Sequence, residues 1–367
     1  MDKNIVSNCN KNNQTIYVYD VLRVITTLLV ILSHCGYYNI ISKYGGINYI
    51  ELINLSQYNI ISYDIFSQIV KFIYTFHMPL FIALSGALFY IQLKSNRFAN
   101  FKSLIENKFK RLIIPFFIVT IMYSVPIKFI SGYFNNSKNL LKDIIVGQVF
   151  IEGNTYLWFL PTLFLCFVLM YFIEKYIYIK HKIILLLFLN ILSYIIPINI
   201  IKYVFQYIIW FYLGFLFEGN RESLNKKLTN YKNLWIYVLI GSILLYIIRI
   251  SILDSYFIFK IIDKILIIFQ AIMGCSVIYL LSLNISNSRI CSNYIYKALS
   301  KTSFGLYLYS DPINYLILFI IYEKIGNIIF ITEIGTITII VLRMIGTFGI
   351  AFITTKILQK LGTRYIV

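Results

Sequence analysis

Charged residues are scarce in this chain of 367 residues. They make up 13% of the sequence, whereas hydrophobic residues make up 59%; a typical soluble domain carries roughly 25% charged residues. Apolar runs recur along the whole chain, and about 20 apolar residues are enough for a helix to cross a bilayer. These features exclude a pair of soluble domains. The sequence predicts an all-α polytopic membrane protein.

Histidine and cysteine are also rare, with three and five residues respectively. The cysteines are odd in number and scattered, and no two have Cys-x-x-Cys spacing: Cys9, Cys35, Cys166, Cys275 and Cys291. This pattern excludes a disulfide framework and does not fit a cysteine metal site. Since the histidines are isolated as well, we expect no metal centre.

Ten apolar segments have the length of membrane-spanning helices, with ends defined to within about three residues. They cover residues 17–36, 67–92, 112–131, 157–174, 183–198, 201–218, 234–251, 264–284, 303–322 and 335–356. The first segment contains Asp20 and Arg23, and no small-residue cleavage site follows it, so we expect a retained helix. We see no linker, repeat or appended soluble segment and expect one membrane domain over residues 1–367.

Lysine and arginine give the chain a net charge of +18, but most of them lie in loops on one side of the predicted membrane. The loop "QLKSNRFANFKSLIENKFKRL" (92–112) carries a dense group. An excess of basic residues in short cytoplasmic loops sets the orientation of a membrane protein. The charge therefore predicts a multi-pass protein of the cell membrane with both termini in the cytoplasm. It does not indicate a nucleic-acid partner.

The first predicted span, "YDVLRVITTLLVILSH" (19–34), carries Arg23 near its start and His34 at its end. Eleven residues at about 100° each place the two side chains within about 20° of one helix face, about 16 Å apart along the axis. An ionisable residue inside a membrane is costly, which makes a functional role the default. The alternatives are that Arg23 reaches the interface with the help of Asp20, and that His34 is a hydrogen-bonded interfacial residue.

Five motifs follow one another along the chain. The first combines Asp-x-x-Arg with Arg-x10-His, and the others are "FHMPLFIALSGALFY" (76–90), "NKFKRLIIPFF" (107–117), "YLWFLPTLFL" (156–165) and "SFGLYLYSDPINY" (303–315). Together they resemble the acyltransferase-3 family of integral-membrane O-acyltransferases. The resemblance extends from end to end of the chain, and it implies a membrane enzyme without a permanently bound cofactor.

The resemblance implies transfer of an acyl group, usually acetyl, from cytoplasmic acyl-CoA to a hydroxyl of a surface or cell-wall glycan. His34 would be the catalytic residue, either as a general base for the acceptor hydroxyl or as an acylated relay. Arg23 would support the thioester or the pyrophosphate of the donor. Lys108 and Arg111 would hold the CoA phosphates, although both also fit a purely topological role.

The resemblance adds weaker candidates for binding the acceptor: His77, Glu152, Trp158, Ser310 and Asp311. His77 could equally make a hydrogen bond at a helix kink, because Pro79 follows it, and Trp158 could be an interfacial anchor. Ser85 and Gly86 would allow two helices to pack closely.

The late motif departs from the family pattern, because Ser310 and Asp311 stand where many members have a histidine. An acid inside a span needs a partner, and we expect Arg343 or a polar cavity to serve Asp311. Arg249, near the outer end of its span, is expected to extend to the interface. The departure leaves the identity of the acceptor open.

Two other functions fit the sequence as a membrane protein. One is a translocator of polysaccharides or small molecules, and the other is a substrate-sensing or uptake module in which His34 binds a ligand without acyl transfer. Neither function needs a site for CoA phosphates, so Arg23, His34 and the basic loop favour the enzyme. The acyl chain length and the oligomeric state are open.

Overall fold

Long apolar helices make up most of the structure. The computed structural model describes residues 3–363 except 43, 136, 151, 153–155, 229–230, 232, 252–256 and 287–293. The first part of the chain forms α1 (Lys3–Cys35), β1 (Asn39–Ser42), β2 (Gly45–Asn48), α2 (Tyr49–Leu52), α3 (Ile61–Tyr74), α4 (His77–Lys94), α5 (Phe101–Lys108), α6 (Ile114–Val119), α7 (Val125–Ile130) and α8 (Leu140–Lys142). The second part forms α9 (Phe159–Tyr176), α10 (Ile179–Leu192), α11 (Asn199–Leu228), α12 (Leu234–Ser251), α13 (Phe257–Ser286), α14 (Tyr294–Ile325) and α15 (Glu333–Lys360).

Nine segments of the described chain are long and apolar enough to cross a membrane. They are Tyr17–Cys35, Ile61–Lys94, Phe101–Ile130, Tyr156–Tyr176, Asn199–Leu228, Leu234–Ser251, Ile262–Ser286, Tyr294–Ile325 and Glu333–Lys360. The prediction of an all-α polytopic membrane protein is confirmed. The predicted span 183–198, the fifth along the chain, needs correction. It forms the 14-residue helix α10, which leaves the helical conformation at Ser193, before Pro197.

Two predicted spans contain breaks that an apolar pattern does not reveal. The segment predicted at 67–92 consists of α3 and α4, separated by a turn at Thr75 and Phe76. The segment predicted at 112–131 begins at Phe101 and contains π-helical turns over Phe109–Ile113 and Thr120–Ser124. Each turn lies just before a proline, Pro115 or Pro126. A proline lacks an N–H and clashes with the carbonyl four residues earlier, so a locally wider turn relieves both problems.

A β-hairpin follows α1 and is absent from the predicted elements. Strands β1 and β2 are antiparallel, with Ile40 opposite Ile47. Gly46 has a φ of +122°, and a Cβ atom there would lie 1.9 Å from the Ile40 carbonyl oxygen. Its N–H donates to the Tyr133 carbonyl oxygen at 2.6 Å, which fixes the hairpin against the segment after α7.

Helix α14 is the most enclosed of these spans. In its most apolar window 72% of the residues are buried, against 11% for α12, so α14 lies in the centre and α12 at the lipid-facing edge. Helix α1 packs against α14 and also contacts α3, α4, α13 and α15. The motif that contains Asp311 is therefore brought beside the end of α1.

Helices α4 and α11 cross where a glycine of each helix faces the backbone of the other. A Cβ atom at Gly86 would lie 1.9 Å from the Phe211 carbonyl oxygen, and one at Gly214 would lie 1.9 Å from the Ala83 carbonyl oxygen. The backbones therefore approach as closely as small residues permit. Gly86 belongs to the pair expected to allow such packing; Ser85 instead donates to the Phe81 carbonyl oxygen at 3.0 Å.

We expect G86A and G214A each to destabilise the protein, because a methyl group there must push two helix backbones apart. Overpacking of this kind costs about 1–3 kcal/mol or more. The measurement is the apparent melting temperature of the purified protein in detergent. G349A is the matched control, because a Cβ atom at Gly349, also in a membrane helix, meets no atom within 4 Å. Equal melting temperatures for G86A and G349A would contradict the crossing.

Candidate active site

The end of α1 and the middle of α14 form an imidazole–carboxylate pair. His34 Nδ1 lies 3.0 Å from Asp311 Oδ1, and the two side chains are 25% and 5% exposed. A carboxylate only accepts hydrogen bonds, so it fixes the proton of a neutral imidazole on Nδ1 and leaves the lone pair on Nε2. The Asp311 carboxylate therefore holds the His34 imidazole in the tautomer that can act as a base at Nε2.

A fully buried arginine holds the backbone on which His34 stands. Arg343 donates from Nη1 to the carbonyl oxygens of Cys35 at 2.7 Å and Tyr37 at 2.8 Å, and from Nη2 to that of His34 at 3.2 Å. Its Nε donates to Asn314 Oδ1 at 2.7 Å, and Asn314 Nδ2 donates to the His34 carbonyl oxygen at 2.7 Å. The last carbonyls of a helix lack intrahelical partners and favour a nearby cation. Arg343 and Asn314 supply both the donors and the charge.

A cavity of about 320 Å³ opens beside the pair. The described residues that line it are His34, Tyr37, Asn39, Ile40, Tyr74, Asp311, Asn314 and Tyr315. Its volume is at the small end of the range for ligand sites, about 300–1,000 Å³. Burial raises the pKa of Tyr37, whose phenol is hydrogen-bonded to that of Tyr74. Apart from Ile40 and the His34–Asp311 pair, the described lining residues carry hydroxyl and amide groups, which suit a small polar group.

The structure places Arg23 apart from this cavity. Arg23 Nη1 lies 3.1 Å from Asp20 Oδ1, and the side chains are 34% and 25% exposed. Because α1 is one continuous helix, the predicted separation of about 16 Å between Arg23 and His34 along the axis holds. The two residues therefore occupy different depths along one face of α1.

Lys108 and Arg111, the candidates for holding the CoA phosphates, differ in their exposure. Lys108 is 6% exposed; its Nζ donates to Gln92 Oε1 at 2.9 Å and lies 3.6 Å from the centre of the Phe167 ring. Arg111 is exposed. The π-helical turn that begins at Phe109 widens the backbone between them, so the two side chains diverge. Lys108 supports the packing of this end of the span.

A second exposed cation accompanies Arg111. Arg97, in the loop between α4 and α5, is exposed, and the charges of Arg97 and Arg111 both act on Lys108. Both guanidinium groups therefore lie within electrostatic range of Lys108 at this end of the third span. Arg97 is not among the residues predicted from the sequence, because nothing in its spacing distinguishes it from the other cations of the loop.

The described residues that line the cavity do not include His77, Glu152, Trp158 or Ser310. His77 is 2% exposed and its Nδ1 lies 2.9 Å from the Ile73 carbonyl oxygen, so it makes the hydrogen bond expected at a helix kink. Its ring also contacts that of Tyr74, with the centres 4.6 Å apart. Ser310 is buried on α14 beside Asp311.

Trp158 and Glu152 lie in a second group at the start of α9 and α11. The Trp158 ring packs against the rings of Tyr203 and Tyr207, with centres 4.5 Å and 5.3 Å apart. Glu152 Oε2 lies 3.4 Å from Asn199 Nδ2. These five side chains combine aromatic faces with a carboxylate and an amide.

Of the two expectations about charges inside the spans, the one for Asp311 holds and the one for Arg249 changes. Asp311 lies in a polar cavity as expected, but its direct partner is His34, and Arg343 binds one turn further along α14 at Asn314. Arg249 was expected to extend to the interface, and it forms an ion pair with Asp263 at 2.7 Å instead. The His34–Asp311 pair joins helices that are distant in the sequence, whereas Arg249 and Asp263 lie on the consecutive helices α12 and α13.

We expect R343K to destabilise the protein by at least about 2 kcal/mol, because lysine cannot reach all four acceptors and leaves buried carbonyls unpaired. The apparent melting temperature in detergent measures this effect. R249K is the matched control; it keeps a cation beside Asp263 and should cost less than about 1 kcal/mol. If R343K melts no lower than R249K, Arg343 does not hold the end of α1.

Comparison with known families assigns the chain. A family model described as an acyltransferase domain, Acyl_transf_3, matches residues 16–356, a range that includes the imidazole–carboxylate pair and Arg343. No curated protein and no solved structure matches the chain. Since the match covers nearly the whole chain from α1 to α15, the protein belongs to the acyltransferase-3 family and is a membrane acyltransferase.

Proposed function

We propose that this protein is an O-acyltransferase of the cytoplasmic membrane that moves an acetyl or other short acyl group from acyl-CoA to a hydroxyl of a surface or cell-wall glycan. The observation that carries the proposal is His34, held by Asp311 at 3.0 Å beside a polar cavity. A translocator or a sensor needs no base fixed in one tautomer. The partners are acyl-CoA, the glycan and the lipid bilayer, and no nucleic acid.

The chemistry follows from the tautomer of His34. Nε2 takes the proton of the acceptor hydroxyl as its oxygen attacks the thioester carbonyl. The new C–O bond forms, the C–S bond breaks, and the imidazolium returns the proton to the departing CoA thiolate. Asp311 stabilises the imidazolium between these two steps, as the acid of a catalytic triad does.

The donor enters from the side of the basic loop. Arg97 and Arg111 are exposed and both influence Lys108 electrostatically, and guanidinium groups bind phosphate oxygens in a bidentate manner. We assign them to the CoA phosphates, and Lys108 to the packing behind them. Arg23, between this end and His34, supports the pantetheine or pyrophosphate part of the donor.

The acceptor enters from the opposite end. The cavity beside His34 is small and polar, so it suits one hydroxyl-bearing group and not a long apolar chain. Trp158 with Tyr203 and Tyr207 offers aromatic surface, and Glu152 with Asn199 offers hydrogen-bonding groups nearby. This combination supports a glycan as acceptor, since a sugar has apolar faces and polar edges.

We expect H34Q to abolish acyl transfer, because it removes the base. We expect D311N to lower acyl transfer by about 10²–10⁴-fold, because it removes the carboxylate that orients the base. The measurement is mass spectrometry of surface and cell-wall glycans from cells expressing each variant. H181Q is the matched control, because His181 is an exposed histidine on α10. An acyl increment that persists in H34Q refutes this chemistry. No increment in any cells, with glycan export still dependent on the protein, supports the translocator.

We expect the double variant R97A/R111A to raise the KM for acetyl-CoA by about tenfold or more, because two charge-assisted contacts to phosphate are lost. K102A is the control; Lys102 is another exposed cation of the same loop and should leave KM unchanged. K108M should lower the melting temperature and leave the KM for acetyl-CoA nearly unchanged. A KM for R97A/R111A equal to that of K102A would assign both arginines to membrane topology alone.

A further inference from the structure

Pro312 interrupts the hydrogen bonding of α14 directly after Asp311. The helix spans Tyr294–Ile325 and contains Pro312 in its interior. In an α-helix the carbonyl of Leu308 accepts from the N–H four residues later, and that residue is Pro312, which has no N–H. The helical turn that carries Asp311 therefore lacks the backbone hydrogen bond that would close it.

The phenol of Tyr156 supplies the missing donor. Tyr156 is buried in the 3₁₀ turn before α9, and its hydroxyl donates to the Leu308 carbonyl oxygen at 2.5 Å. The Tyr307 hydroxyl donates in return to the Tyr156 carbonyl oxygen at 2.9 Å, and the Ser124 hydroxyl of the third span is hydrogen-bonded to the Tyr156 phenol. A buried carbonyl without a donor is costly, so this phenol replaces the N–H that Pro312 lacks.

Asp311 lies between two anchored parts of α14. On one side, Tyr156 holds the carbonyl of Leu308. On the other side, Asn314 donates to the His34 carbonyl oxygen at 2.7 Å. The Asp311 carboxylate approaches the imidazole of His34 to 3.0 Å, which is a hydrogen-bond distance, so a small movement of this turn breaks the pair.

We propose that Tyr156 is a positioning residue for acyl transfer. Its phenol closes the turn of α14 that Pro312 leaves open, and this keeps the Asp311 carboxylate against the imidazole of His34. The inference rests on the proposed function. Without the phenol the turn relaxes and the carboxylate moves away from Nδ1. The imidazole proton then exchanges between Nδ1 and Nε2, and the base loses its fixed lone pair.

The first test is acyl transfer by Y156F, which removes one hydroxyl and keeps the ring. We expect kcat to fall by about tenfold or more, because a displacement of about 1 Å in an active site is enough for such a loss. The KM for acetyl-CoA should stay within about twofold of the native value, because the donor site is untouched.

Y123F is the matched control for this loss. The Tyr123 hydroxyl donates to the next carbonyl of α14, that of Tyr309, at 3.2 Å. The residue four positions after Tyr309 is Ile313, which has an N–H of its own. The helix can therefore pair this carbonyl without the phenol, and we expect Y123F to keep kcat within about twofold of the native value.

The second test restores the missing donor in the backbone. P312A gives α14 an N–H four residues after Leu308, so the carbonyl no longer depends on the phenol. In the P312A background we expect Y156F to lower kcat by less than about twofold, because the two changes act on one hydrogen bond. A hydroxyl that mattered only for packing would cost the same factor in both backgrounds.

The third test reports on His34 without acyl transfer. The ¹⁵N NMR signals of an imidazole distinguish the protonated nitrogen from the one with the lone pair. The chain has three histidines, so the His34 signals are those that H34Q lacks. In the purified full-length protein we expect one tautomer, with Nδ1 protonated. D311A and Y156F should show signals averaged between two tautomers, whereas Y123F and Y156F/P312A should keep the native signals.

The outcomes decide the role of Tyr156. Native kcat or a native His34 tautomer in folded Y156F overturns it, and so does an equal loss in Y123F. An equal factor for Y156F with and without P312A also overturns it. If Y156F folds only in the P312A background, the proposal is supported through stability, and if it unfolds in both backgrounds, the proposal is overturned. If P312A does not fold, the first and third tests decide.

The failure of one proposal is distinguishable from that of the other. If the native protein transfers no acyl group, the proposed function fails. The ¹⁵N signals of His34 in Y156F then still show whether Tyr156 holds Asp311 against the imidazole.

Discussion

The buried guanidinium of Arg343 is the constraint on which the rest of the site depends. A buried cation is costly unless its donors are paired, and Arg343 donates to carbonyls at the end of α1 and to the amide oxygen of Asn314 on α14. Three helices from opposite ends of the chain are thereby joined at one point. The contacts that pair the donors of Arg343 also place His34 against Asp311, so the same interactions stabilise the fold and position the candidate catalytic pair.

The sequence predicts the features that depend on local physics. The apolar runs indicate the membrane helices, since length and hydropathy decide which segments enter a bilayer. The relation between Arg23 and His34 follows from helical geometry and holds because α1 is unbroken. The family resemblance adds His34 and Asp311 as candidates. Asn314 could have been included, because it lies one turn after Asp311 on the same face of α14.

The contacts between distant segments could not be predicted in this way. Nothing local indicates that Asp311 meets His34 or that Lys128 is buried. The inward position of Lys108 depends on a π-helical turn, and apolar periodicity does not distinguish that turn from an α-helix. Tyr37 and Tyr74 line the cavity but are two of 32 tyrosines. With so many tyrosines, the sequence does not indicate which of them belong to the site.

The length of α10 has a consequence for the surrounding lipid. Its 14 residues cover about 21 Å, whereas the hydrocarbon core of a typical bilayer is about 30 Å thick. Its exposed side carries Ile184, Phe188 and Ile191. These apolar side chains face lipid, and contact with water in its place would be unfavourable. The bilayer beside α10 must therefore become thinner, or its acyl chains more disordered. The protein should prefer membranes of shorter acyl chains, and bilayer thickness becomes a variable that affects its stability.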